Sequence, residues 1–251
     1  MRRGIARTVA RVLRARPGLL VFPALSAGTM ALVTAAAWAL PLNDAWRRVR
    51  AGHAPSDAQG AVFVVMVALL SCVGTYYTAA LLHSVHVLEA GERPAFRVSL
   101  GAALRRLPVL AAWSLLSSTV GLLFRGLEST AGLSIVFESA GFSWSLLTFF
   151  VLPVLMVERA GLLASLRRSL ALGRRELGNW VAGGVRLFLT TALVLIVSLV
   201  ALILAAESES YTVLFATLGS VVALWLLTGL VTATASGIYR MTLYRQAAER
   251  G

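Results

Sequence analysis

Lysine is missing from this 251-residue chain; all 23 basic residues are arginine, which we read as codon bias in a GC-rich genome. Cysteine is nearly missing as well. The lone Cys72 sits in an apolar run and excludes an intrachain disulfide framework. Charge is scarce, at 14% of residues, where soluble domains carry about 25%. With 11 acids and three histidines, most of them near the ends of apolar runs, catalytic chemistry has few groups to draw on. The chain has no Gly-rich phosphate loop, no Ser-His-Asp set and no paired carboxylates within an apolar run. These scarcities point away from an enzyme, and no cofactor is expected.

Apolar residues fill the space, at 58% of the chain, with a mean hydropathy of +0.81. A soluble fold of this size would lack the polar residues to cover its surface. The apolar residues also gather in runs close to the roughly 20 residues that cross a bilayer. Six such runs occur, at about 18–40, 61–82, 109–124, 142–157, 187–206 and 212–238. The third and fourth are short, and the fourth reaches back to Leu133 if Glu138 marks the outer interface. The expected fold is therefore all-α: a polytopic transmembrane helix bundle of about six spans, forming one integral membrane domain over 1–251. The basic start through Arg16, followed by an apolar run longer than the roughly 7–15 residues of a signal peptide, reads as a retained first span.

Arginine placement predicts the orientation. Eighteen arginines fall in the N-terminal segment, the second and fourth connections and the C-terminal tail; four fall in the alternate connections, three of them at Arg47, Arg48 and Arg50. Basic residues beside spans favour the cytoplasm. Both termini are thus expected inside, in a multi-pass protein of the cell membrane. The net charge of +12 would suit nucleic acid, but arginines flanking spans face anionic lipid head groups instead.

The cytoplasmic connections carry helical patterns. Phe96, Leu100, Ala103, Leu104 and Leu107 follow the period of one apolar face, with Arg105 and Arg106 beside it. Leu162, Leu163, Leu166 and Leu170 share a face distinct from Arg167, Arg168, Arg174 and Arg175. Ile5, Val9, Val12 and Leu13 behave likewise next to Arg14. Such segments suit interfacial helices whose arginines reach head groups. The pattern Leu-Arg-x-x-Pro at Leu13–Pro17 and Leu104–Pro108 suggests a threefold repeat of interfacial helix plus hairpin, over 1–86, 93–157 and 160–240, although the third copy lacks the proline.

Within the runs, Ser71, Gly74, Thr75 and Thr78 form a stripe, and Gly229, Ala233 and Gly237 recur every four residues beside Thr228, Thr232 and Ser236. Close helix packing explains both; a hydroxyl-lined solute path would look the same. His83 and His86 are helical neighbours and could chelate a metal, or simply end a span in polar residues. Arg186 reads as the last residue of an interfacial helix before a span from Leu187. Pro153 predicts a kink in the fourth span through its clash with the Phe149 carbonyl.

Pro23 follows a basic amphipathic start, and Trp144, Thr148 and Pro153 lead into Glu158, Gly161 and Ser169. With this layout the chain resembles an uncharacterised family of prokaryotic multi-span membrane proteins. The resemblance implies a helical membrane fold and no activity; the histidine pair is not part of its pattern. The expected function is non-enzymatic, with the basic helices engaging anionic membrane lipids or a membrane protein partner, a second copy of the chain included. A small-solute permease is the alternative, and a metal-dependent membrane enzyme at His83 and His86 the third.

Overall fold

The computed structural model describes residues 14, 16–39, 43–52, 56–131, 144, 148–208 and 210–249; for 125, 127–131, 174–188 and 190 it describes the backbone alone. Every regular element among these is helical. A 3-10 turn, Pro17–Leu20, leads into α1 (Val21–Ala37). There follow α2 (Asn43–Arg50), α3 (Asp57–Glu89), α4 (Phe96–Arg105), α5 (Leu107–Ala131), α6 (Val151–Val157), α7 (Leu162–Glu207) and α8 (Tyr211–Glu249).

The central helix is α3, and local chemistry fixes both its ends. Ser56 and Gln59 form a capping box, each side chain accepting the other's backbone N–H. At the far end Gly91 takes a φ of +85°. Its N–H and that of Glu92 return to the carbonyls of Leu88 and Val87, the Schellman arrangement that glycine permits at no steric cost. Between these ends run 33 residues, about 50 Å of helix against a hydrocarbon core of about 30 Å. The apolar stretch 61–82 is long enough for a crossing, and His83–Glu89 continue beyond it.

Among the described residues, four helical stretches are long and apolar enough to cross a membrane: Pro17–Ala37, Asp57–Glu89, Leu107–Phe124 and Tyr211–Glu249. The second half of the chain departs from the six-run expectation in two places. The anticipated interfacial helix and fifth span are one continuous helix, the 46-residue α7. No proline interrupts 162–207, and isolated glycines cost only about 1 kcal/mol each in a helix, too little to force a break. Its apolar described part, Thr191–Glu207, is short. The described part of the fourth run is residues 144 and 148–157, and the helix in it with both ends described is α6. Pro153 does not kink a longer helix: Phe149 and Phe150 form a turn, α6 starts at Val151, and Pro153 stands in its first turn, where a missing N–H breaks no helical bond. Residues 132–143 and the N-terminal pattern at Ile5–Leu13 lie outside the described residues.

The core sits at one end of the bundle. Val151 through Met156 of α6 are all buried, packed between α3, α7 and α8. Around them close Ala79–Leu82 and Val85 of α3, Leu110 and Trp113 of α5, and Ile238, Met241 and Leu243 of α8. Along the rest of the helices large apolar side chains point outward, among them Leu32, Val65, Leu115, Leu193, Leu204, Phe215 and Leu226. Glycine sets two close approaches. A Cβ on Gly237 would lie 2.6 Å from Cδ2 of Leu81, and one on Gly74 would lie 2.8 Å from Cε of Met30. Packing thus accounts for these two small residues of the stripes. Gly229 has open space and no such role.

Candidate functional site

Three arginine-bearing parts of the chain, and the start of α1 that follows the basic N-terminus, meet at the packed end. The Phe22 ring at the head of α1 lies 5.0 Å from that of Phe96 at the head of α4. Along α3, Tyr76 donates its hydroxyl to the Leu100 carbonyl at 3.2 Å, and Ser84 donates to Ser99 at 2.7 Å. These bonds hold α4 against the last turns of α3. Glu89 accepts from Thr242 at 3.0 Å and pairs with Arg245 at 3.3 Å, tying α3 to the end of α8. Arg240 reaches over the Phe149 ring, 4.8 Å from its centroid, a cation–π contact.

The residues of the motif gather here. Trp144 stacks on Trp113 at 6.4 Å, and Thr148 donates to the Trp144 carbonyl at 2.7 Å. The buried hydroxyl of Ser169 on α7 accepts the Phe150 N–H at 3.2 Å, which the turn before α6 leaves without a helical acceptor. Glu158, just past α6, accepts the Tyr244 hydroxyl at 2.8 Å and the Arg168 Nε at 3.4 Å. Burial first, and then donation to the negatively charged Glu158, push the Tyr244 hydroxyl's pKa up. Gly161 is the N-cap of α7. Pro23 lies apart, in the first turn of α1.

Of the arginines expected at the membrane surface, Arg14, Arg105 and Arg167 are exposed and Arg106 is half-buried. Arg168 is also exposed yet pairs with Glu158. The side chains of Arg174, Arg175 and Arg186 lie outside the described set. Arg105 and Arg106 face His83, His86 and Arg159 across a cleft of about 230 Å³, floored by Met156 and Val157. Arg159 stands between α6 and α7 with a φ of 53°, a left-handed conformation that costs a non-glycine residue about 1–3 kcal/mol. His83 Nδ1 is 3.3 Å from the Ser99 hydroxyl, while His86 Nδ1 is buried with no hydrogen-bond partner. Burial, then His86 and Arg159, hold the His83 imidazole's pKa below the ordinary histidine range. No group of three His, Cys, Asp or Glu side chains able to hold a metal occurs among the described residues. A divalent cation between two imidazoles and three guanidiniums would also meet strong repulsion.

A larger crevice, about 750 Å³, opens between α1, α3 and α8. Gly74, Thr78, Gly229 and Ala233 line it, but with Leu81, Val222, Leu226 and other apolar side chains; Thr75 and Thr232 are not in its wall. The Thr232 hydroxyl turns back to the Thr228 and Gly229 carbonyls of its own helix. The stripe therefore does not form one hydroxyl-lined path.

From the sequence, Arg159 and Arg245 count among the cytoplasmic arginines and Glu89 stands beside the histidine pair, but no partner can be assigned to them or to Ser99, and Tyr244 is not singled out. The break after Glu158 could have drawn attention to Arg159. Nothing local marks Tyr244, whose partner lies 86 residues away.

Over the described residues, helices, packed end and outward apolar surfaces define an all-helical protein with four helices long and apolar enough to cross a membrane. The family can also be stated. Residues 59–251 match the model of DUF6159, a family of unknown function, and the chain belongs to that family. No curated protein and no solved structure matches it.

Proposed function

We propose that this member of DUF6159 is a non-enzymatic integral membrane protein of about six spans, with both termini in the cytoplasm, whose arginine-bearing end engages anionic lipid head groups. The observation that carries the reading is the common location of the arginine-bearing segments. The head of α1, the α4 helix, the turn into α7 and the tail of α8 contact one another at one end of α3. Beyond that end the helices present exposed leucine, valine and phenylalanine, whose contact with water costs roughly 25 cal/mol per Å². A bilayer removes that cost and sets its own anionic surface against the arginines, each worth about 1 kcal/mol near the surface.

The test is reconstitution of the full chain into phosphatidylcholine vesicles with and without phosphatidylglycerol. Higher thermal stability with the anionic lipid, fading as salt is raised, is expected because surface electrostatics are screened. Equal stability in both vesicles overturns the reading.

A further inference from the structure

We infer that the cleft between the ends of α3 and α4 and the turn after α6 is a binding site for a phosphate group. Five side chains from three separate elements face it: His83 and His86, Arg105 and Arg106, and Arg159. None of its lining residues is acidic. The neighbouring carboxylates are committed elsewhere, Glu89 to Arg245 and Thr242, Glu158 to Arg168 and Tyr244. Among the described residues no carboxylate pairs with Arg105, Arg106 or Arg159. The fold thus holds like charges around a small concave space with no counter-charge among the described side chains.

Two further observations point to a ligand. The left-handed backbone at Arg159 is strain of the kind that persists where the surrounding structure over-determines it, commonly at ligand clamps. The buried His86 Nδ1 has no partner, and a buried polar atom normally has one. A phosphate supplies the counter-charge that the three guanidiniums lining the cleft lack. Its oxygens point in several directions and can accept from donors on three sides, whereas a planar carboxylate satisfies a single guanidinium fork. No phenylalanine, tyrosine or tryptophan lines the cleft, and its volume of about 230 Å³ is small beside pockets that enclose a whole nucleotide-sized ligand, so the phosphate itself is the recognised feature.

The phosphate has two chemical sources, a lipid head group or a free phosphate. The site follows immediately on the apolar stretch 61–82, at head-group depth if α3 crosses the bilayer; that placement rests on the membrane reading above, while the cleft chemistry does not. Calorimetric titration of the full chain in neutral detergent separates them, using inorganic phosphate, short-chain phosphatidic acid and, as the phosphate-free control, short-chain diacylglycerol. Saturable binding of phosphatidic acid is expected, about tenfold or more weaker in Arg106→Gln and in Arg159→Gln. Arg167→Gln, an exposed arginine outside the cleft, should bind as the unmodified chain does. Helix content and unfolding midpoint of each variant confirm that it is folded.

Binding of phosphatidic acid without inorganic phosphate assigns the lipid source, and binding of both assigns the phosphate itself. Equal binding of diacylglycerol and phosphatidic acid overturns the inference, as does an equal loss in Arg167→Gln and Arg106→Gln. Binding of neither phosphate compound overturns it too. In that last case a vesicle-charge effect on stability would leave the broader lipid reading standing, so the two ideas fail separately.

Discussion

The Tyr244 hydroxyl donates to Glu158 at 2.8 Å, joining the last turns of the chain to the turn between α6 and α7. Tyr244 is buried, so the bond is sheltered from water at one end, while the Glu158 side chain keeps about a third of its exposure. Tyr244→Phe should therefore lower stability by about 1 kcal/mol. Glu158→Gln should cost a similar amount, and the double variant less than the sum. Arg168→Gln, which removes only the exposed 3.4 Å pair with the same carboxylate, should cost no more than about 1 kcal/mol. Chemical unfolding in detergent micelles measures all four; full additivity of the Tyr244 and Glu158 variants would show that the bond does not couple them.

Gly237 and Gly229 belong to one sequence pattern but meet different surroundings. A side chain at Gly237 would run into buried Leu81, so Gly237→Val should destabilise by about 1–3 kcal/mol through overpacking. Adding Leu81→Ala should recover part of that loss. Gly229→Ala meets nothing within 4 Å and should stabilise by up to about 1 kcal/mol, as alanine does in a helix interior. Unfolding midpoints in the opposite order would contradict the packing described between α3 and α8.

His83 supplies a pH dependence. It faces His86 on its own helix, Arg105 and Arg106 from α4, and Arg159 from the turn after α6. Burial first, and then His86 and Arg159, lower its pKa. Between its lowered pKa and the ordinary 6.5, the unfolded chain binds more protons at this residue than the folded one, so stability rises with pH. The contribution is fully present above about 6.5 and lost as acidification proceeds below it. Unfolding between about pH 5 and 8 should thus show a steeper loss on the acid side in the unmodified chain than in His83→Gln. Identical acid limbs would mean that His83 keeps its ordinary affinity for protons.

The proposed topology can be read by cysteine labelling in a Cys72→Ala background. Glu92→Cys, in the loop between α3 and α4, should react with an impermeant maleimide only after cells are permeabilised. Ala51→Cys and Ser208→Cys should react in intact cells. All three positions are exposed, whereas Ser99 on α4 is buried and hydrogen-bonded and would stay unlabelled on either side. Inverting the chain would carry 18 arginines across the membrane instead of four, at roughly 2.5–3.5 kcal/mol each on insertion scales. Labelling of Glu92→Cys in intact cells, with Ser208→Cys protected, would reverse the orientation.

Hydrophobic periodicity and run length were enough to read the helical class, α1, α3, α5 and α8, and the amphipathic α4, because each of these depends on neighbours within a few turns. The Schellman stop at Gly91 is equally local. The boundaries around α6 and α7 were not legible. Pro153 is compatible with either a kink or a helix start, and the choice falls to Ser169, whose hydroxyl receives the Phe150 N–H from 19 residues away. The same holds for the cationic cleft. That arginines crowd beside apolar helices follows from residue order alone. The packing of the helix ends is what brings Arg105, Arg106 and Arg159 into one space with His83 and His86 and draws Arg168 and Arg245 off to Glu158 and Glu89. Charge sign and hydropathy belong to single residues and their near neighbours, but pairing depends on which helix ends pack together, and that is settled by long-range burial around α6.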